Sequence, residues 1–192
     1  MLRVRQLSLT SCWLLLACAA RSTTTTRPVT SWKNVAAPSY HPTHTMVAFM
    51  TTDFSTRRVV EDRLAARLPG AVASYRLIPN NELLERDVVL GRLVTFGYDG
   101  IVVVRFAPEK SRLTATGTDF YTHWSHWRDA YNTDSTDTSV RYALETTLYS
   151  VRDGQMIWLG RSETMEQPSI NKLEDYAVDF AFDNIMETGL IR

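Results

Sequence analysis

Between Thr45 and Met50 the chain reads TMVAFM, apolar without alternation, and polarity returns at TTD. That is the pattern of a strand buried on both faces and ending at a helix start. Ser55 is placed to cap STRRVVEDRLAARLPG, where Val60, Leu64 and Leu68 recur at four-residue spacing and Gly70 closes the helix. AVASYRLIP, residues 71–79, reads as a second strand closed by Pro79. NNELLERDVVLGRLVTFG reads as a second helix, capped by Asn80 or Asn81 and stopped by Gly97, with Leu83, Leu84, Val88, Leu93 and Val94 as inner positions. GIVVVRF, residues 100–106, is a third, fully buried strand. The order βαβαβ favours parallel pairing with right-handed crossovers.

The carboxyl half follows a different rhythm. In TSVRYALETTLYSV, Val140, Tyr142, Leu144, Thr146 and Leu148 alternate with Arg141, Glu145 and Thr147, the signature of a half-buried strand. Asp153-Gly154 is a two-residue hairpin turn, and QMIWLGRSET returns as the partner strand. Beyond Pro168, Ser169 caps a last helix whose inner stripe is Ile170, Leu173, Ala177, Phe180 and Ala181, with Gly189 as its stop. The predicted fold is α/β (or α+β), one domain in which a βαβαβ unit, an antiparallel hairpin and a C-terminal helix surround one mixed sheet.

The first seventeen residues belong to no fold. Arg3 and Arg5 precede an apolar run from about Leu7 to Ala17, far shorter than the roughly 20 residues of a membrane-spanning helix, so residues 1–17 read as a signal peptide. The signal ends in LLAC, Leu15 to Cys18, which resembles the lipobox of bacterial lipoproteins and implies cleavage before Cys18 and lipid attachment to its thiol. Ordinary signal peptidase cleavage near Ala20 is the alternative. Cys12 is lost with the signal, so the mature chain keeps Cys18 alone and forms no internal disulfide. Two or three acyl chains, at about 0.8 kcal/mol per buried methylene, would hold such a protein on a membrane. AARSTTTTRPVTS, residues 19–31, has no acid and few apolar groups and reads as a flexible tether, leaving residues 32–192 as a single periplasmic domain. Four of the 21 basic residues and none of the 21 acidic ones precede residue 32, so that domain carries 17 basic against 21 acidic residues. It lacks the basic patch that nucleic acid requires.

SWKN, RRVVEDRLAARLPGAVASYRLIP, GYDGIVVVRF and above all LETTLYSVRDGQMIWLGRSET resemble a group of bacterial envelope lipoproteins of uncharacterised function, over essentially everything from Ser31 to the end. No catalytic motif comes with that resemblance. The layout is also similar, at the level of fold, to the amino-terminal domain of TolB and the lipoprotein LpoB, which implies a protein that works by binding partners. Ala19 after the lipidated cysteine carries no inner-membrane retention aspartate, which implies the periplasmic face of the outer membrane.

Candidate chemistry is sparse. Neither G-x-S-x-G nor G-x-x-x-x-G-K-[ST] occurs, and neither an enzymatic activity nor a cofactor is expected. Asp99, before Gly100 at a helix-to-strand turn, is expected to bond backbone amides. Arg105 either offers an anion site at a sheet edge or pairs with a carboxylate. Asp134 and Asp137 lie in a polar loop that lacks the glycine and closing glutamate of a calcium site. The four histidines form two H-x-x-H pairs, His41 with His44 and His123 with His126, so a metal-binding protein or metal-dependent enzyme is the alternative function. If helical, DFYTHWSHWRDAY would place Asp119, His123 and His126 on one face and Phe120, Trp124, Trp127 and Tyr131 on another. The preferred reading is an aromatic contact surface for an envelope partner, with Tyr121, Trp124 and Trp127 as binding residues and the histidines as non-ligands.

Overall fold

The computed structural model describes residues 30–37, 39–79, 82–83, 85–108, 142–163 and 170–192. Their elements are β1 (Thr30–Lys33), β2 (Thr45–Met50), α1 (Phe54–Arg67), β3 (Ala71–Ala73), a 3-10 turn (Ser74–Arg76), α2 (Arg86–Thr95), β4 (Gly100–Pro108), β5 (Tyr142–Ser150), β6 (Met156–Arg161) and α3 (Ile170–Glu187). One six-stranded sheet runs β1-β6-β5-β4-β2-β3. The β3-β2-β4 part is parallel and β4-β5-β6-β1 is antiparallel, giving the mixed sheet and α+β class expected.

The apolar runs without alternation are buried on both faces because helices cover both. Val47, Phe49, Val102, Val104, Leu144 and Leu148 pack with Val60 and Leu64 of α1 and Ala177, Phe180, Ala181 and Ile185 of α3. Met46, Ala48, Ile101, Val103, Tyr149 and Leu159 pack on the other face with Ile78, Leu83 and, from α2, Val89 and Leu93. At about 25 cal/mol per Å² of apolar surface removed from water, these two layers are the main source of stability.

Several local expectations are corrected. Asp53, and not Ser55, caps α1: its side chain accepts the Ser55 amide at 2.9 Å and the Thr56 hydroxyl at 2.7 Å. The strand expected over 71–79 stops at Ala73, where Ser74 turns the backbone into the 3-10 turn and its hydroxyl reaches Glu61 at 2.6 Å. Helix α2 starts at Arg86 behind Glu85; Asn80, Asn81 and Leu84 lie outside the described residues. With that start, Val89 and Leu93 face the sheet, while Val88 and Val94 are 39% and 65% exposed. One residue is 100° of helix, enough to carry Val94 off the face that Leu93 occupies.

Strand β5 is buried on both faces from Ala143 to Ser150, not half-buried, since it lies between β4 and β6 in the middle of the sheet. The Asp153-Gly154 hairpin forms, but its loop holds Val151 to Gly154: Ser150 N–H donates to the Gln155 carbonyl at 2.9 Å, Gly154 takes φ +65°, and the register shifts between Leu148 and Tyr149. Gly97 and Gly189 also take positive φ at the ends of α2 and α3, as expected of helix stops. Strand β1 was not expected. Thr30 and Ser31, read from composition as tether, pair with Arg161 and Gly160.

Candidate functional site

Strand β2 leads through α1 to β3 on one side, and β3 leads through α2 to β4 on the other side of β2. The two helices lie on opposite faces, which makes the carboxyl ends of β2 and β4 the place where open α/β sheets hold ligands. A row of polar residues crosses the sheet there. Met50 pairs with Arg105, Arg105 with Glu145, Glu145 with Arg161 and Arg161 with Thr30. Arg105 shares its face with Ile101 and Val103 by the two-residue period of a strand. Its Nε donates to Glu145 Oε2 at 2.7 Å and its Nη2 lies 2.5 Å from the same oxygen, while Arg161 Nη1 donates to Oε1 at 2.9 Å. The side chains are 15%, 3% and 12% exposed in the order Arg105, Glu145, Arg161, so the pairing is largely shielded from water. The carboxylate pair expected of Arg105 is formed, with Glu145.

The start of α1 lies at the same end of the sheet. Its first-turn donors already hold an anion, the Asp53 carboxylate, whose pKa is lowered by the Thr56 hydroxyl and the Ser55 amide.

Deeper in, Arg57 and Glu61 are fully buried on consecutive turns of α1, with Nε 2.9 Å from Oε1. Strand β3 pairs with β2 only as far as Val47, and Glu61 takes over where the strand ends. Its Oε1 accepts the Phe49 amide at 2.9 Å and the Ser74 hydroxyl at 2.6 Å, and its Oε2 accepts the Tyr75 amide at 3.0 Å. One carboxylate thus joins β2, α1 and the 3-10 turn, leaving no buried donor of this group without an acceptor.

At the opposite end of the sheet Asp99 behaves as expected of a turn aspartate. Its carboxylate accepts the Thr43 amide at 2.9 Å, the His44 amide at 2.9 Å and the Thr43 hydroxyl at 2.9 Å. Partial burial alone would raise its pKa, but these donors outweigh it and hold the carboxyl below its ordinary value. Burial pushes the Tyr40 phenol up, and its hydroxyl donates to the Asp99 carbonyl. His41 Nδ1 lies 3.0 Å from the Leu190 carbonyl and His44 Nδ1 lies 3.2 Å from the Thr43 hydroxyl, so both rings have protein partners. Among the described residues no group of three or more His, Cys, Asp or Glu is arranged to hold a metal ion.

An aromatic surface is present where no motif announced one. Phe54, 46% exposed, and Tyr75 meet edge to face at 6.5 Å, and the Arg58 guanidinium lies 5.7 and 5.0 Å from their ring centroids. The Tyr75 hydroxyl donates to Asp62, which also pairs with Arg76 at 2.8 Å. These residues are brought together by the 3-10 turn, which the strand reading of 71–79 had concealed.

Cys18, Tyr121, Trp124, Trp127, His123 and His126 lie outside the described residues. The connection that carries the last five begins after Pro108 and returns at Tyr142, two residues paired with each other across β4 and β5.

No family model matches the chain, and no curated protein matches it. Solved structures that it is similar to include two PelC dodecamers from Paraburkholderia phytofirmans. Both are 10% identical; one match covers 81% of this chain and 96% of that chain at a TM-score of 0.42, the other 80% and 95% at 0.41. The lipoprotein GNA1162 from Neisseria meningitidis is 14% identical over 67% of this chain and 83% of that one, at a TM-score of 0.33.

Proposed function

We propose that the chain is a lipid-anchored envelope protein, held at the periplasmic face of the outer membrane, that acts by binding a partner and not by catalysis. The observation that carries this reading is LLAC at the end of a signal-like segment, with Cys18 the one cysteine left after cleavage. No helix among the described residues is long and apolar enough to cross a membrane, which suits attachment through lipid. Among the described residues pairing begins at Thr30, and the eleven tether residues 19–29 before it span at most about 36 Å when extended. A domain on so short a leash meets its partner close to the membrane surface.

Binding is supported by where the polar chemistry goes. Arg57 and Glu61, Glu145 with its two arginines, and Asp99 are all engaged in bonds that join elements of the fold. Contact residues are Tyr121, Trp124 and Trp127, with the exposed Phe54 and Arg58 and the half-buried Tyr75 as a second aromatic surface.

Replacing Cys18 by alanine should abolish lipid labelling and move the protein from the membrane fraction to the soluble one. Unchanged partition of Cys18→Ala in cell fractionation would overturn the anchor. Replacing Trp124 and Trp127 together by serine should remove most of the partner captured by in-cell crosslinking while the domain stays folded by circular dichroism; buried tryptophans at about 3 to 5 kcal/mol each would unfold it instead. His123→Ala with His126→Ala should leave folding and metal content unchanged. A stoichiometric metal lost from that variant would restore the metal-dependent reading.

A further inference from the structure

We infer that Arg105, at the carboxyl end of β4, binds an oxyanion, a phosphate or carboxylate group, on the edge of its guanidinium turned away from Glu145. The Nε/Nη2 edge of Arg105 faces one oxygen of Glu145, leaving the N–H of Nη2 on its Nη1 side, and the other oxygen of that carboxylate is taken by Arg161. A single buried carboxylate therefore divides its charge between two guanidiniums. The inference rests on Arg105 and not on Arg161, which has a further interaction of its own. For Arg105, Nη1 has no acceptor among the described residues. The side chain is only 15% exposed, so water compensates little of its charge. A cation in that position is stabilised by an added anion far more than one on the open surface would be.

Position and competition agree with this. The row sits at the carboxyl ends of β2 and β4, where the connections diverge and ligands of open sheets bind. The carboxylates of neighbouring elements are occupied: Asp53 by Ser55 and Thr56 of α1, Glu61 by Arg57, Ser74 and the amides of Phe49 and Tyr75. The start of α1, otherwise the natural anion site at this end, is closed by Asp53. What remains is the planar Nη edge of Arg105, a donor pair that fits the oxygens of phosphate or carboxylate and that an ammonium cannot reproduce.

The inference is independent of how the chain is anchored. The test uses the full lipidated chain in detergent, titrated with sodium phosphate or sodium acetate at ionic strength held constant with sodium chloride. A ligand that binds the native state raises the thermal midpoint with its concentration. Wild type should show a saturable rise with phosphate, with acetate, or with both, and the arm that responds identifies the oxyanion. In Arg105→Lys, which keeps the charge beside Glu145, the concentration needed should increase at least about tenfold. Nitrogen NMR should assign the site: the arginine Nε resonance missing from Arg105→Lys is the one that moves in wild type. If wild type shows no saturable response, or Arg105→Lys responds as wild type does, Arg105 is not an anion site. Should Arg105→Gln lose its fold, the lysine variant still decides the matter.

Discussion

Replacing Glu61 by alanine should lower the free energy of unfolding by about 3 to 5 kcal/mol, the cost of breaking a buried ion pair from one side. The side chain is fully buried, and its removal takes away the carboxylate partner of Arg57 together with the acceptor of the Phe49 amide, the Tyr75 amide and the Ser74 hydroxyl. Glu61→Gln removes the negative charge and one of the two acceptor oxygens: its NH2 must face the donors on either the Phe49 side or the Tyr75 side, so its loss combines the missing charge with a missing acceptor. Removing both charges, as Arg57→Leu with Glu61→Leu, should be milder than the sum of the single changes, because neither charge is then left in the core. Urea unfolding of wild type, Glu61→Ala, Glu61→Gln, the two single leucine variants and their double gives the comparison. A loss under about 1 kcal/mol for Glu61→Ala would show that the network adds little to stability.

Trp158→Ala should be comparably costly, about 3 to 5 kcal/mol. Trp158 is 3% exposed and sits in the core layer beneath α1 and α3. Its ring lies directly on Gly160, two residues further along β6: a Cβ built there would stand 2.4 Å from ring Cη2 and 2.6 Å from Cζ2. Glycine at 160 makes the space and tryptophan at 158 fills it, so truncating the ring opens a cavity over bare backbone. Trp158→Phe, keeping part of the ring, should lose distinctly less. A Trp158→Ala free energy of unfolding within about 1 kcal/mol of wild type would mean that the ring does not line the core.

Two buried runs without alternation made β2 and β4 legible in the sequence, and with the helix between them the parallel centre of the sheet. Asp99 was legible from its place before Gly100 at a turn, although the amides it holds, those of Thr43 and His44, lie 56 and 55 residues away. Positions whose burial is decided by distant partners were not. Glu145 looks solvent-facing because alternation along β5 puts it among polar neighbours, yet it is buried by Arg105, 40 residues before it, and Arg161, 16 after. Strand β1 has four residues, three of them polar and most of its length exposed, so no apolar period marks it; it exists because β6 offers an edge. The end of β3 at Ala73 was hidden for a similar reason. Ser74 and Tyr75 continue an apolar-leaning run, and only the presence of Glu61 across the gap turns them away from the sheet. The candidate site was half legible: Arg105 stood out at the end of an apolar run, but the carboxylate and second arginine that give the row its chemistry did not.

The pairing of β1 with β6 also fixes an order of events in time. Thr30 finds its place beside Arg161, so β1, made early in synthesis, has no partner until nearly all the rest has followed. Closing so long a loop is entropically expensive and slow compared with forming the β2-α1-β3 unit, whose contacts are local. Native structure is therefore expected to grow outward from the parallel centre, with the amino-terminal edge strand added last. Until then the exposed edge of β6, with MIWLGR along it, is where a nascent chain is open to wrong pairing, and a period of escort by chaperones should be most needed in that interval.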